Sequence, residues 1–543
     1  MKKFLNFNYL ISVSIFLLIF LIGLNIYKHY GISIDEGHSR INGLVSLNYI
    51  IELLNLDLYD NFKDLSLPQI HEYKAQGNGV VFDLPLSILE IFLNIKNTKE
   101  IFLLRHISTF TIFFISLIFF FLIIKDRYNS FSFGIIAVLF LFISPRIFAQ
   151  SFYNSKDVVF MSLNIINLFF GIKYLKNSNL KNGILFSITS GLCVGSRILG
   201  IYLPVLICLI KVIQILRSNK EIKIQFLNLG IVSILIVLSV YIFWPYLWAN
   251  PFINFYNTFI NIGNHDVGIY NFFLGDYIPV EFVPWNYSLI WIGISTPLSY
   301  LILFLIGFIY FFRRMIFRIL NINEKSIYND LWRGEKEMVD VLLFLNLIIP
   351  ILVIVIMHSS LYTGWRHLFF LYPSIIFFAV YAIRIFNIFF IKKISSIIIL
   401  VFLILTPTVL WMYKNHPFQY VYFNSFFKNN FNKYFDMDYW GLTNYHALKY
   451  ILKNNEEDKL LIIGLIGDGD LYLSKSFLSN QEKKKILITE DFGEAEFLID
   501  GYSRWDAVKI NKKRLLEKNL FKIYYEIKVN KIPINSIYIK NSK

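Results

Sequence analysis

Residues 9–40 read Y-L-I-S-V-S-I-F-L-L-I-F-L-I-G-L-N-I-Y-K-H-Y-G-I-S-I-D-E-G-H-S-R. From Tyr9 to Tyr27 no side chain is charged. A helix over 9–27 rises about 28 Å, close to the ~30 Å of hydrocarbon in a bilayer. The run is too long for a signal peptide and lacks a small-residue cleavage site, so it is expected to stay as a membrane span. Lys2 and Lys3 precede it, which places the N-terminus in the cytoplasm. Directly beyond the span comes a polar cluster, Ser33 to Arg40, with Asp35 and Glu36 side by side. A membrane span that opens onto adjacent carboxylates sets the terms for the rest of the chain.

Similar apolar runs recur near 101–124, 131–148, 158–175, 183–197, 198–215, 225–245, 287–312, 339–357, 366–383 and 394–411. About eleven transmembrane helices are therefore predicted. The composition agrees: 56% of the 543 residues are hydrophobic and 16% charged, against about 25% charged in a soluble domain. Soluble enzymes, coiled coils and disordered chains are excluded. The 52 Lys and Arg exceed the 37 Asp and Glu by 15. This excess gathers in short segments between apolar runs, the mark of cytoplasmic loops and not of a nucleic-acid surface. Cys193 and Cys208 both lie in apolar segments, so no disulfide framework is implied.

If the spans alternate, Lys125/Arg127, Lys173/Lys176/Lys181, Arg217/Lys220, Arg313/Arg314/Arg318 and Lys392/Lys393 share one side. The stretch 246–286, with no Lys or Arg, falls on the other. Segments 28–100, 146–157, 246–286 and 358–366 are thus predicted to be extracytoplasmic, together with everything after about 412. Within 28–100, residues 39–57 and 80–95 have mixed patterns that suit helices lying along the membrane surface. Residues 412–543 return to ordinary soluble usage, and 459–465, 485–489 and 496–500 read as strands of a small α/β domain. The G-D-G-D at 467–470 reads as a turn.

The chemistry-bearing residues gather at the outer helix ends. Asp35 can serve as a base for an incoming hydroxyl, and burial is expected to raise its pKa toward working pH. The competing reading of Ser33–Arg40 is a solvated loop. Asp157 opens the next-but-two span, where a carboxylate also suits the positive end of a helix. Arg366 and His367, in Y-T-G-W-R-H (362–367), suit either a snorkelling anchor or an anionic headgroup. Arg105 and Arg197 occupy comparable outer ends, with few acidic residues nearby in sequence. Glu36, His38, Tyr362, His265 and Asp266 are candidate acceptor or sugar contacts. A divalent cation would fall to Asp35 and Asp157, although separate carboxylates without set spacing signal metal weakly.

The acidic pair after the first helix, the Asp opening a later one, W-P-Y-L-W-A-N-P (244–251), W-N-Y-S-L-I-W-I-G-I-S-T-P (285–297) and Y-T-G-W-R-H-L-F-F-L-Y-P (362–373) occur in that order. Together they resemble the GT-C membrane glycosyltransferases, closest to glycosyltransferase family 39 with its protein O-mannosyltransferases and aminoarabinose transferases. The resemblance covers about 1–411, and H-P-F-Q-Y-V-Y-F-N with D-Y-W-G-L-T extends it to about 445. It implies a GT-C transmembrane catalytic domain over 1–411 and an extracytoplasmic α/β domain over 412–543. It also implies an inverting transfer of a sugar from a polyprenyl-phosphate donor to a glycan, lipid or protein hydroxyl, on the periplasmic face of the plasma membrane. By the same resemblance Asp35 is the catalytic base, Asp157 the second acidic position, Arg366 and His367 hold donor phosphate, and Arg105 matches an arginine at the start of the second helix. Arg197, like Arg105 an arginine at an outer helix end that needs an anion, is read from its position as a further donor-phosphate contact. Where the aminoarabinose transferases carry Lys-Pro-Pro, this chain has F-D-L-P (82–85), which argues against a lipid A acceptor. The alternatives are a polytopic transporter, or a flippase or ligase for lipid-linked glycans. A transporter predicts ionisable residues at mid-membrane and an inverted repeat, and neither stands out.

Overall fold

The structure, a computed structural model, describes residues 2–55, 67–73, 77–218, 221–261, 270–320, 332–426, 431–455, 459–466, 469–502 and 519–541. Helix α1 (Lys2–Ile26) is the first span. It is followed by α2 (Ile34–Leu54) and α3 (Asp83–Phe92), where the two surface helices are expected. Helix α4 (Thr98–Tyr128) rises roughly 46 Å. Asn97 caps its start by accepting from the Lys99 amide, and Asn129 in the left-handed region ends it.

Then come α5 (Phe131–Phe142), α6 (Pro145–Tyr153), α7 (Asp157–Lys176), α8 (Leu180–Val194), α9 (Tyr202–Ser218) and α10 (Ile222–Phe243). The outer segment beyond α10 holds α11 (Pro251–Asn261) and a hairpin of β1 (Tyr270–Phe273) and β2 (Asp276–Pro279). The remaining membrane helices are α12 (Tyr287–Ser295), α13 (Leu298–Leu320), α14 (Gly334–Ile356), α15 (Tyr372–Phe386) and α16 (Ile394–Lys414).

Nine helices among the described residues are long and apolar enough to cross a membrane, and the α5–α6 pair makes a tenth. Three of the eleven expected runs are broken or shortened. The run 131–148 breaks at Ser144-Pro145 with a 71° bend. The run 287–312 breaks at Thr296-Pro297, so its span begins only at Leu298. In each case a proline pushes the preceding residue out of helical geometry, and Ser144 and Thr296 are extended. The expected span 183–197 is the fifteen-residue α8, about 22 Å long and shorter than the other spans. It nevertheless runs from the end of α7 back to Arg197 beside Asp157 and so traverses the bundle.

Close helix contacts rest on small residues, as is usual where lipid replaces water. A Cβ on Gly307 of α13 would sit 1.9 Å from the Phe378 carbonyl of α15. One on Gly191 of α8 would meet Ser239 of α10 at 2.5 Å.

Beyond α16 the chain forms α17 (Leu442–Lys453), β3 (Leu461–Leu465), α18 (Leu471–Ser476), α19 (Asn480–Lys484), β4 (Ile486–Ile488), β5 (Phe497–Asp500), β6 (Phe521–Val529) and β7 (Ile532–Lys540). The sheet order is β4-β3-β5-β7-β6, with β3 parallel to β4 and β5 and β7 antiparallel to its neighbours. Strands β3, β4 and β5 are the three expected from sequence. The β6–β7 hairpin is additional and turns through Asn530 and Lys531, both at positive φ. Asp470 caps α18 through the Leu473 amide, the turn role expected of it, while Gly467 and Asp468 lie outside the described residues.

This C-terminal part is seated on the helical bundle. Phe477 clusters with Ile32 and Phe102, and the Ile34 amide at the start of α2 donates to the Trp440 carbonyl at 3.4 Å.

Candidate active site

Four segments converge at one end of the bundle: the first turn of α2, the turn leading into α7, the turn between α8 and α9, and the segment 358–367. Each is held locally. Asn154 accepts from the Asp157 amide at 2.8 Å and donates to Asp157 Oδ2 at 3.0 Å, which sets the carboxylate as α7 begins. Asn271, on β1, donates to the Leu361 carbonyl at 2.7 Å and accepts from the Thr363 amide at 3.1 Å. The Gly364 amide donates to Tyr287 Oη, and Trp365 Nε1 donates to Ser295 Oγ. Thr363 and Gly364 both have positive φ, so this segment is a tight turn that delivers Arg366 into the bundle.

Arg366 Nη1 donates to Asp35 Oδ2 at 2.5 Å and to Asp157 Oδ2 at 3.3 Å. The other oxygen of Asp157 pairs with Arg197 Nη2 at 2.5 Å. Two carboxylates and two guanidiniums therefore form one chain, Asp35–Arg366–Asp157–Arg197. Arg366 also lies 5.0 Å from the Tyr362 ring centroid and 5.2 Å from that of Trp440, and its buried Nε has no hydrogen-bond partner. The charges line a cavity of about 280 Å³, walled by Asp35, Lys156, Arg197, Tyr362, Arg366 and His367 with Gly77, Gly79 and Thr258. Lys156 has no carboxylate partner among the described residues.

Burial alone raises the Asp35 carboxyl, but Arg366, Lys156 and Arg197 outweigh it and hold the group well below the usual carboxylate range. The expectation of a raised value is thus corrected. Three cations around one acid override its desolvation.

Several sequence expectations also move. Glu36 does not face the cavity. Its Oε2 accepts from the Ser33 amide at 2.8 Å and from Ser33 Oγ at 3.1 Å, the return half of a capping box. Its other oxygen lies 2.9 Å from His106 Nε2, with both side chains buried. Arg105 is not among the cavity walls either. Its Nη1 pairs with Asp83 at 3.1 Å inside the contact of α3 with α4, while its Nε and Nη2 are buried without a hydrogen-bond partner among the described residues. The scarcity of acids near the arginines holds in sequence and fails in space. Burial pushes the Asp83 carboxyl up to about 6 even against Arg105 and Lys156. His38 is exposed and is not among the cavity walls. His265 and Asp266 lie outside the described residues.

No three His, Cys, Asp or Glu side chains among the described residues converge as a metal set. Asp35 and Asp157 are each occupied by arginine, so the groups present do not fit a divalent cation.

Sequence reasoning missed Lys156 and Trp440. Lys156 stands beside a residue already singled out, and its chain contact with the cavity depends on the Asn154 turn. Trp440 lies 74 positions beyond Arg366 and reaches it only because the C-terminal part folds back over α2.

No family model matches the chain, and no curated protein matches it. Among solved structures it is similar to ArnT from Cupriavidus metallidurans. The form bound to undecaprenyl phosphate matches with TM-score 0.46 and the apo form with 0.48, each at 10% identity over 98% of this chain and 97% of that one. It is also similar to the apo oligosaccharyltransferase of Archaeoglobus fulgidus, with TM-score 0.48 and 10% identity over 89% of this chain, spanning 65% of that protein.

Proposed function

We propose that this chain is an inverting membrane glycosyltransferase that takes a sugar from a polyprenyl-phosphate donor and delivers it to an acceptor hydroxyl. The observation that carries the reading is the single cavity in which Asp35 faces Arg366, Arg197 and Lys156 at the end of a membrane bundle. The motif resemblance points the same way, and the ArnT neighbour is one that binds undecaprenyl phosphate. The cavity end is assigned to the extracytoplasmic side by the charge pattern of the loops, with the N-terminus cytoplasmic. Residues 1–411 form the catalytic domain and 412–543 the outer α/β domain.

The transfer is a single displacement. The acceptor oxygen attacks the anomeric carbon, the bond from that carbon to the phosphate oxygen breaks, and the acceptor proton passes to Asp35. Polyprenyl phosphate leaves as an anion, and its new charge is met by Arg366, Arg197 and Lys156. A phosphate leaving group needs charge stabilisation more than a proton, so preorganised cations contribute the larger share, about 10²–10³-fold for each well-placed contact. A base adds about 10²–10⁴-fold.

The shared arginine couples the two tasks. At rest Arg366 keeps Asp35 ionised and weakly basic. An arriving phosphate draws guanidinium density to itself, and the Asp35 carboxyl then moves up toward its ordinary value and becomes a better base. His367, whose ring meets Tyr362 edge-on at 4.5 Å, forms the adjoining wall for the sugar. Asp157 orients both arginines.

The test is consumption of labelled polyprenyl-phosphate sugars by purified protein in lipid nanodiscs. Wild type should release polyprenyl phosphate, and Asp35→Asn should lose at least 100-fold in turnover while keeping its elution profile and thermal midpoint. Unchanged turnover in Asp35→Asn removes the assignment.

A further inference from the structure

A second cavity, about 940 Å³, lies at the opposite end of the bundle, where α4, α7 and α8 meet the start of α5. Along α7 it is roughly 28 Å from Asp157. Its rim carries Lys125, Lys173, Lys176 and Lys181 and a single acid, Asp126. Asp126 is taken by Lys176. The other three ammoniums have no carboxylate partner among the described residues.

Two of them are held against the wall. Lys125 Nζ stands 4.3 Å from the centroid of the Phe131 ring, and Lys173 Nζ stands 4.6 Å from that of Phe169. The floor is apolar, made by Leu122, Ile172 and Leu185 from three separate helices. The C-terminal ends of α4 and α7 and the N-terminal ends of α5 and α8 all open here. Their opposed partial charges offset one another, so the lysines set the sign of the field.

We propose that this cavity binds the phosphate headgroup of an anionic lipid, with the acyl or prenyl chain lying on the apolar floor. A cationic rim over a greasy floor, set between helices at a membrane boundary, selects a charged amphiphile over either a free ion or a neutral lipid. Basic pockets between transmembrane helices hold such headgroups in other membrane proteins. The site stands apart from the transfer reaction and uses none of its residues.

The test reconstitutes the full chain in phosphatidylcholine nanodiscs carrying a minor fraction of either phosphatidylglycerol or a polyprenyl phosphate. Retained lipid is then counted by native mass spectrometry. Wild type should keep an anionic lipid that the K125Q/K173Q/K181Q variant loses by roughly tenfold or more. Asp126→Asn frees Lys176 and should retain more than wild type, a gain that a misfolded protein cannot mimic.

The mass of the retained lipid tells a phospholipid from a polyprenyl phosphate. A polyprenyl phosphate lost on Arg366→Ala and kept by the triple variant belongs to the other cavity and overturns the proposal. Equal retention by wild type and triple variant, or equal retention of phosphatidylcholine, overturns it as well.

Discussion

The two ends of the bundle use the same side chains to opposite effect. At one end Asp340, fully buried, is gripped by Arg127 through both oxygens at 2.5 and 2.6 Å and by Arg314 at 2.8 Å, while Glu337 binds Arg318 beside it. Both Asp340 oxygens face arginine, and the residue has no exposure to solvent. At the other end Asp35 is a quarter exposed, faces a cavity, and shares with Asp157 an arginine that keeps an unused donor. Ion-pair chemistry alone does not separate a clamp from a reactive centre. Spare bonding capacity next to empty space does.

The largest expected contrast is between two carboxylate replacements. Asp340→Ala should destabilise the protein by about 3–5 kcal/mol, because Arg127 is left largely buried without its anion and Arg314 keeps only Glu337, at 3.9 Å. Asp35→Asn should leave the thermal midpoint near wild type while turnover collapses. If thermal unfolding shows both variants equally destabilised, the distinction drawn between the two ends fails.

A smaller effect concerns pH. Arg366 depresses the Asp35 carboxyl, so the acid limb of kcat/KM, which reports the free enzyme, should lie at low pH. In Arg366→Gln the strongest of the opposing charges is gone while Lys156 and Arg197 remain, so the carboxyl moves up and activity should fail at a higher pH during acidification. The normalised pH–rate profile of residual activity checks this. An unmoved limb would mean that the titrating group is not Asp35.

The smallest effect lies at the seam between the helical bundle and the C-terminal part. His416 packs against His29 at 5.0 Å between ring centroids, with Tyr30 alongside and Gln419 bonded to its Nδ1. His446 meets Phe418 and Tyr445. Burial, reinforced by the neighbouring histidines, pushes His416 and His446 down to about 4. Unfolded histidine binds its proton near 6.5. The unfolded chain therefore holds more protons between about 4 and 6.5, so stability is full above that window and declines as pH falls through it. Melting of the wild type should show this slope, and His446→Gln should flatten it.

The membrane helices were legible because apolar runs of span length admit few other readings. The two breaks were also written in the sequence, as Ser144-Pro145 and Thr296-Pro297, yet an average over the whole run conceals a single proline. Asp35, Arg197 and Arg366 could be singled out because charges at helix ends in an apolar chain are conspicuous. Glu36 was misplaced although Ser33-Ile-Asp-Glu36 has the spacing of a capping box, since adjacency to Asp35 suggested a shared task. Arg105 was misplaced for a different reason. Its partner Asp83 sits on another helix, and only the crossing of α3 and α4 brings them together.

The contact of Trp440 with Arg366 has a practical corollary for protein engineering. The indole comes from beyond the last span, so one panel of the reaction chamber is contributed by the tail. Cutting the chain at residue 412 would leave the arginine open to bulk water and weaken the field it exerts. A chimaera that exchanged tails between homologous proteins would import this panel with the graft, and substrate preference could travel with it.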